Sequence, residues 1–423
     1  MYITLVDIIF TTVDSILTSV IEIKMKKIRC RLKELIEKYG LSQSQLAKET
    51  NLSINAISRL YKEEFDRIDC NTAAVLCNHF RCDMADLFFV ETSERLTAEE
   101  FQKQYLSGKR DFSGVDLGAV DLSNFDLAKA DLTRSNLKAT ILKEANLTRA
   151  HLTRATLEGA ILSQANLSEA NLDEADLTRS CLEKAMLYAV NLRGTKLTFA
   201  NLAYAKLIYG ELTAVDISDA CLENAELNWA NLNQAILRRA KLNNAKLVRA
   251  NLRNTDLSGA ELREADLRCT DLREANVSSA DLRRINLEAS CLIGANLSGA
   301  DLSGANLSNA DLSDAKISNA NLRVINLKNA SLRGADMRNT DLGRTYQQDA
   351  ASRAILCGAD LSGADLSGSD LNYADLSDAN LSGAILNGTN LRGATMPDGT
   401  VYDSSRHQEF EYSSKLQQEL EEF

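Results

Sequence analysis

The chain has 423 residues, a formal net charge of −11, a single Pro and only 5% aromatic residues. This is unusual for a compact globule and natural for stacked repeats, so a conventional enzyme core is not the first expectation. Nine Cys, an odd number without framework spacing, exclude a disulfide scaffold and suit a reducing, cytoplasmic setting.

Residues 1–24 are apolar and β-branched but carry Asp7 and Asp14 and no basic leader. A secretory signal and a membrane span are both disfavoured. The plainest reading is a non-conforming extension, with translation starting at Met25; a loosely held amphipathic helix is the alternative.

Residues 25–62 hold nine Lys/Arg against three Glu, a local basic module in an otherwise acidic chain. Ile28, Leu32, Leu35 and Ile36 form one helical stripe that ends at Gly40. Ser42 with Gln45 makes a capping box for a second helix, and Ser53 caps a third that turns Ala56, Ile57 and Leu60 inward. Residues Ile68 to Leu87 supply two more short helices. Helix, short turn, helix is a DNA-reading arrangement. The phrases Leu41-Ser42-Gln43-Ser44-Gln45-Leu46-Ala47 and Leu52-Ser53-Ile54-Asn55-Ala56-Ile57-Ser58-Arg59-Leu60 resemble the Cro/C1-type (XRE-like) helix-turn-helix family. That resemblance implies double-stranded DNA as partner of residues 25–92. Gln43 and Ser53 would hold phosphates, while Ile54, Asn55, Ser58 and Arg59 would face the major groove. There Asn55 suits adenine and Arg59 guanine. Ile54 departs from the family's usual polar reader and is suited only to a thymine methyl. Lys26, Lys27, Arg29 and Lys62 would add sequence-independent attraction.

Within residues 93–110, Thr97 and Glu100 form another capping box, and Phe101 and Tyr105 stand four apart. This segment reads as a linker and a helix that caps the repetitive stretch after it.

Residues 111–400 repeat one five-residue phrase. Every fifth position from 117 to 342 is apolar, and 42 of these 46 centres are Leu. Two residues earlier stands a small residue, usually Ala; one residue earlier, 28 of the 46 positions are Asp or Asn. A period of five fits neither helix nor strand but fits a chain that turns a corner every five residues. Four sides make a 20-residue coil, with the centre and the small residue inward. The exceptions Ile217, Val277, Ile317 and Met337, and the bulky small-site residues Phe125, Ile285 and Ile325, are each separated by multiples of 20. The phrase resembles the pentapeptide-repeat family, A(D/N)LXX, which implies a right-handed quadrilateral β-helix. The whole is therefore an α+β multidomain chain, a small all-α helix-turn-helix domain followed by a solenoid. After Leu342 the next centre is Leu356, so residues 343–353 must loop out. Pro397 ends the pattern. The acidic tail, 401–423, places Tyr412, Leu416, Leu420 and Phe423 at helical spacing, as a cap or a homodimer contact.

No catalytic constellation is legible: His79, His151 and His407 lack nucleophile partners, and no phosphate loop or cofactor motif occurs. Cys70, Cys77, His79 and Cys82 cluster in sequence, but Cys77 and His79 fall about 200° apart on a helix, which argues against a shared metal. Outward positions of the repeat are mostly small and polar. Tyr188, Ile208 and Val248 in one column, and Tyr209, Trp229 and Arg249 in the next, break that rule beside a stretch, 231–250, with a net charge of +5. They mark a candidate site for an unknown protein partner. The expected function is sequence-specific DNA binding and transcriptional regulation, with the solenoid as interaction platform. The alternatives are a DNA-mimicking protein that binds and protects topoisomerase, and a structural spacer.

Overall fold

The computed structural model describes residues 27–62, 70–82, 87–91, 95–343 and 353–402. The extension 1–24, Lys26 and the tail beyond Tyr402 lie outside the described residues. The chain divides into two compact units, residues 1–94 and 95–423.

In the first unit, strand β1 (Lys27–Cys30) is followed by helices α1 (Leu32–Lys38), α2 (Gln43–Thr50), α3 (Ile54–Tyr61) and α4 (Cys70–Phe80), then strand β2 (Phe88–Glu91). Ser42 and Gln45 form the reciprocal cap of α2, and the Ser53 hydroxyl accepts from Ala56 N–H at 3.1 Å. Between α2 and α3, Asn51 takes a left-handed φ of 55°, which its short polar side chain tolerates. Leu32, Ile36, Leu46, Ile57, Leu60, Leu76, Phe80 and Leu87 close the core.

The first helix does not begin at Ile28. Ile28 lies on β1, opposite Val90 of β2 in an antiparallel pair. A β-branched residue facing a distant apolar strand gains more from that pairing than from starting a helix. Of the two short helices expected over Ile68 to Leu87, the described residues contain α4.

The second unit opens with helix α5 (Ala98–Leu106), carrying the Thr97/Glu100 box. Phe101 is fully buried, its ring 4.2 Å from that of Phe112 in the first repeat, and Tyr105 Oη donates to Ala128 O at 2.8 Å. These contacts seat α5 over the first coil.

The stack then follows one rule. Parallel bridges join each residue before a centre to its equivalent in the next coil, as in Asp116–Asn136–Thr156. The step from position 116 to position 136 is four periods of five, so each coil has four sides. Leu117 N–H donates to Asn136 O at 2.8 Å in the next coil, and Asn136 N–H donates back to Val115 O at 2.9 Å. Each corner closes by a turn, for example Val120 N–H to Leu117 O at 3.1 Å. The third residue of that turn is left-handed: Ala119 has φ 57° and Trp229 62°. This conformation costs a non-glycine residue about 1 kcal/mol. It is held because its N–H joins the ladder, Ala119 N–H to Lys138 O at 2.8 Å.

The Asp/Asn preference has a local cause. The side chain accepts from the N–H two residues on, as Asp116 Oδ1 does from Gly118 at 2.9 Å and Asn251 Oδ1 from Arg253 at 3.2 Å. Asn191 Nδ2 also donates to Asn171 Oδ1 at 2.8 Å, tying coil to coil. The inward Leu and Ala are buried along the stack, except Leu386 near its end, which is half-buried. Buried Thr140 is satisfied by donating to Leu117 O at 2.8 Å. Phe125 differs from Ile285 and Ile325: it is half-buried, packed at the core's edge.

The interruption leaves the register intact. Across it the bridges join Asn326 to Ile355 and Ser331 to Asp360, where the regular step would have reached positions 346 and 351. The same shift applies to both, so the coil resumes in phase after the insertion; residues 344–352, expected to loop out, lie outside the described residues. At the far end the chain reverses, and Val401 pairs antiparallel with Thr395.

Candidate nucleic-acid interface and solenoid wall

Helix α3 has two chemically distinct sides. At 100° per residue, positions 54, 55, 58, 59 and 62 fall within an arc of about 140°, with 57 and 60 opposite. Ile57 and Leu60 are buried. Ile54, Asn55, Arg59 and Lys62 are exposed, and Ser58 is half-buried. A core on one side and an amide, a guanidinium, a hydroxyl and an ammonium on the other form a surface suited to base edges and phosphates. Because the Ser53 oxygen accepts from the helix, its hydroxyl proton can donate outward. Gln43, in the first turn of α2, is half-buried. Lys27 opens β1.

His79 Nε2 stands 3.5 Å from a Glu49 carboxylate oxygen, and Cys77 is buried. No metal-binding group of His, Cys, Asp or Glu occurs among the described residues.

On the solenoid, Tyr188, Tyr209 and Trp229 are exposed, and Ile208 and Val248 are half-buried. The structure brings Tyr209, Trp229 and Arg249 into one ladder. The two rings stack 6.3 Å apart at 26°, and the guanidinium lies 4.6 Å from the Trp229 centroid. A groove of about 430 Å³ follows, lined by Trp229, Val248, Arg249, Arg268, Cys269 and Glu288.

The +5 stretch is less positive than its sequence suggests. Arg239 pairs with Asp219 at 2.7 Å, Lys246 with Glu226 at 3.2 Å, and Arg238 with Asp256. These acids come from neighbouring coils, which a count along the chain cannot see.

Two further exposed aromatics were not singled out from the sequence. Phe199 has Arg179 over its ring at 5.8 Å, and Tyr204 has Lys184 at 5.9 Å. The signal was available: 199, 204 and 209 are the corner positions of three successive repeats, and all three carry aromatic residues.

Elsewhere on the walls, acids are engaged by arginines. The Arg283 guanidinium, 2.7 Å from Asp281, together with Arg263, holds that carboxyl down to about 2. Arg268 likewise lowers Asp266, and Arg273 lowers Asp271.

Comparison with known proteins bears on both units. A family model described as Cro/C1-type HTH DNA-binding domain matches residues 31–93. A model of pentapeptide repeats matches in eight copies between residues 111 and 396. No match is found among curated proteins. Among solved structures, the chain is similar to HetL, a pentapeptide repeat protein involved in heterocyst differentiation regulation from the cyanobacterium Nostoc sp. strain PCC 7120. The identity is 32% over 73% of this chain and all of that one, with a TM-score of 0.23. It is also similar to Rfr23 from the cyanobacterium Cyanothece 51142, at 28% identity over 33% of this chain and 64% of that one, with a TM-score of 0.17. A third is full-length QnrB1, a plasmid-mediated fluoroquinolone resistance protein, at 19% over 47% and 84%, with a TM-score of 0.20. On its repeats and its matched domain, the chain belongs to the pentapeptide-repeat family and carries a Cro/C1-type helix-turn-helix domain before the repeats.

Proposed function

We propose that this chain is a sequence-specific DNA-binding protein, a cytoplasmic transcriptional regulator whose solenoid, a right-handed quadrilateral β-helix, is a platform for a protein partner. The division of α3 into a buried side and an exposed side bearing Asn55 and Arg59 carries this reading. Residues 25–92 bind duplex DNA. Asn55 reads adenine, Arg59 guanine, and Ile54 a thymine methyl. Gln43, Ser53 and Ser58 position the domain on the backbone, and Lys26, Lys27 and Lys62 draw it there. Residues 93–110 link and cap, and residues 111–400 form the platform. Tyr188, Ile208, Tyr209, Trp229 and Arg249 receive the partner. The chain acts by binding and needs no cofactor. No helix among the described residues is long and apolar enough to cross a membrane.

A DNA-mimicking role is less well supported. Mimicry needs a free acidic surface, and here Asp266, Asp271, Asp281 and Asp336 are each clamped by an arginine of their own wall.

The test is a salt titration of full-length chain on duplex DNA. Neutralising about four phosphates should weaken binding roughly a hundredfold between about 50 and 200 mM salt. Undetectable binding at the lower salt would refute the DNA-binding reading.

A further inference from the structure

The corner that carries Tyr209, Trp229 and Arg249 changes character along the stack. Bulky side chains occupy it in these consecutive coils, each left-handed, at φ 59°, 62° and 60°. The coils that follow place Cys269 and Ala289 there. The groove of about 430 Å³ lies where the side chains shorten, with Val248 and Ala289 as apolar lining and Arg249, Arg268 and Glu288 as its charges.

Those charges are not equivalent. Arg268 gives its Nε and Nη2 hydrogens to Asp266, at 2.8 and 2.7 Å. Arg239 and Lys246, from the same coil as Arg249, are likewise held, by Asp219 and Glu226. Arg249 instead lies over the Trp229 ring, 4.6 Å from its centroid, and has no carboxylate partner among the described residues. A guanidinium stacked on an indole is held in place while its N–H groups stay available, and their planar fork matches a carboxylate.

Resting on the reading of this edge as a partner site, we propose that the groove takes an extended peptide segment of an acidic partner, with an Asp or Glu carboxylate on Arg249 and an apolar side chain against Tyr209 and Trp229. Two coils separate positions 209 and 249, about 10 Å at about 4.8 Å per coil, which an extended chain covers in about three residues. A nucleic-acid backbone suits the groove less. It presents a phosphate at every nucleotide and needs a row of unpaired cations. Here Arg239 and Lys246 are clamped by their own acids, and Glu288 lines the same groove.

Trp229 is the chain's one tryptophan, so its fluorescence reports on this groove. Peptides selected from a random library on the immobilised full-length chain are titrated free in solution, with Trp229 emission as the readout. The selected peptides should share an Asp or Glu about three residues from an aromatic or aliphatic residue, and should shift the emission. Changing that acid to its amide in the peptide, or Arg249→Gln in the protein, should each weaken binding about tenfold or more, with the melting of the variant unchanged. Both changes together should weaken it little more than either alone, because they remove one contact. Peptides that shift the emission but are indifferent to both changes would overturn the acidic assignment and leave the partner site standing. A short random duplex that displaces the peptides would overturn it too, and would give the groove to nucleic acid. A library that yields no binder, or only binders that leave the emission unchanged, would overturn the partner site itself.

Discussion

Arg59 and Asn55 stand one turn apart on the exposed side of a helix whose other side is buried, so neither is needed for the core. Arg59→Ala should therefore leave the melting temperature unchanged. It should cost about 1–3 kcal/mol of binding at one base pair and relax preference there, measured by competition with single-base operator variants. Lys27→Ala should instead weaken all sequences alike. A second residue-level test concerns Asp281. Arg283 and Arg263 hold its pKa down to about 2. A depressed carboxylate stabilises the fold above its unfolded value of about 3.9, and that stability is lost as pH falls towards about 2. Asp281→Asn should thus lower stability by about 1 kcal/mol at about pH 5, a figure discounted for the exposed arginines, and by nearly nothing at about pH 2. Melts of the two proteins across that range check it. Ser42, Gln45, Ser53, Thr97 and Glu100 were legible as caps because each bond closes within three residues. The arginine clamps across coils were not legible one residue at a time, because Arg239 meets Asp219 only after the chain has come round a full coil.

Among the elements, the coil could be read from its period, since the inward Leu and Ala and the outward Asp and Asn recur at each side. β1 could not, because its partner β2 lies beyond the four described helices of the first unit and nothing local distinguishes Ile28 from a helix start. The interruption gives the sharpest element-level prediction. Bridges spanning it enclose a longer stretch of chain than the regular ones, and the centre after Leu342 falls at Leu356 where the period of five calls for position 347. Deleting residues 344–352 joins Gly343 to Arg353 and restores the spacing from Leu342 to the next centre. The variant should fold with a melting temperature within about 2 °C of the parent, since loop length alone changes stability little. A fall of more than about 5 °C would mean that the insertion supports the stack.

At the scale of the whole molecule, a basic reading head and a long, repetitive wall divide recognition between two chemistries. Most of the wall is small and polar, so the exposed aromatics that share one side, Tyr188, Tyr209 and Trp229, are the proposed place for a protein partner to gain by excluding water. Their rings were legible in the sequence as breaks in the polar pattern, and the positive charge beside them was overread. Changing Tyr209→Ser together with Trp229→Ser should barely alter melting, because both side chains point outward, but should remove co-purifying partners. A sharp drop in melting with every interaction intact would identify the pair as cladding of the coil edge.

The central claim is that this chain reads DNA sequence through α3. Selection of bound duplexes from a random pool by the full-length protein addresses it directly. The expected result is an enriched motif, with half-sites about one helical turn apart if two chains bind together, that loses preference at one position when Arg59→Ala is used instead. A pool that remains random, or a motif unchanged by Arg59→Ala and by Asn55→Ala, would contradict it.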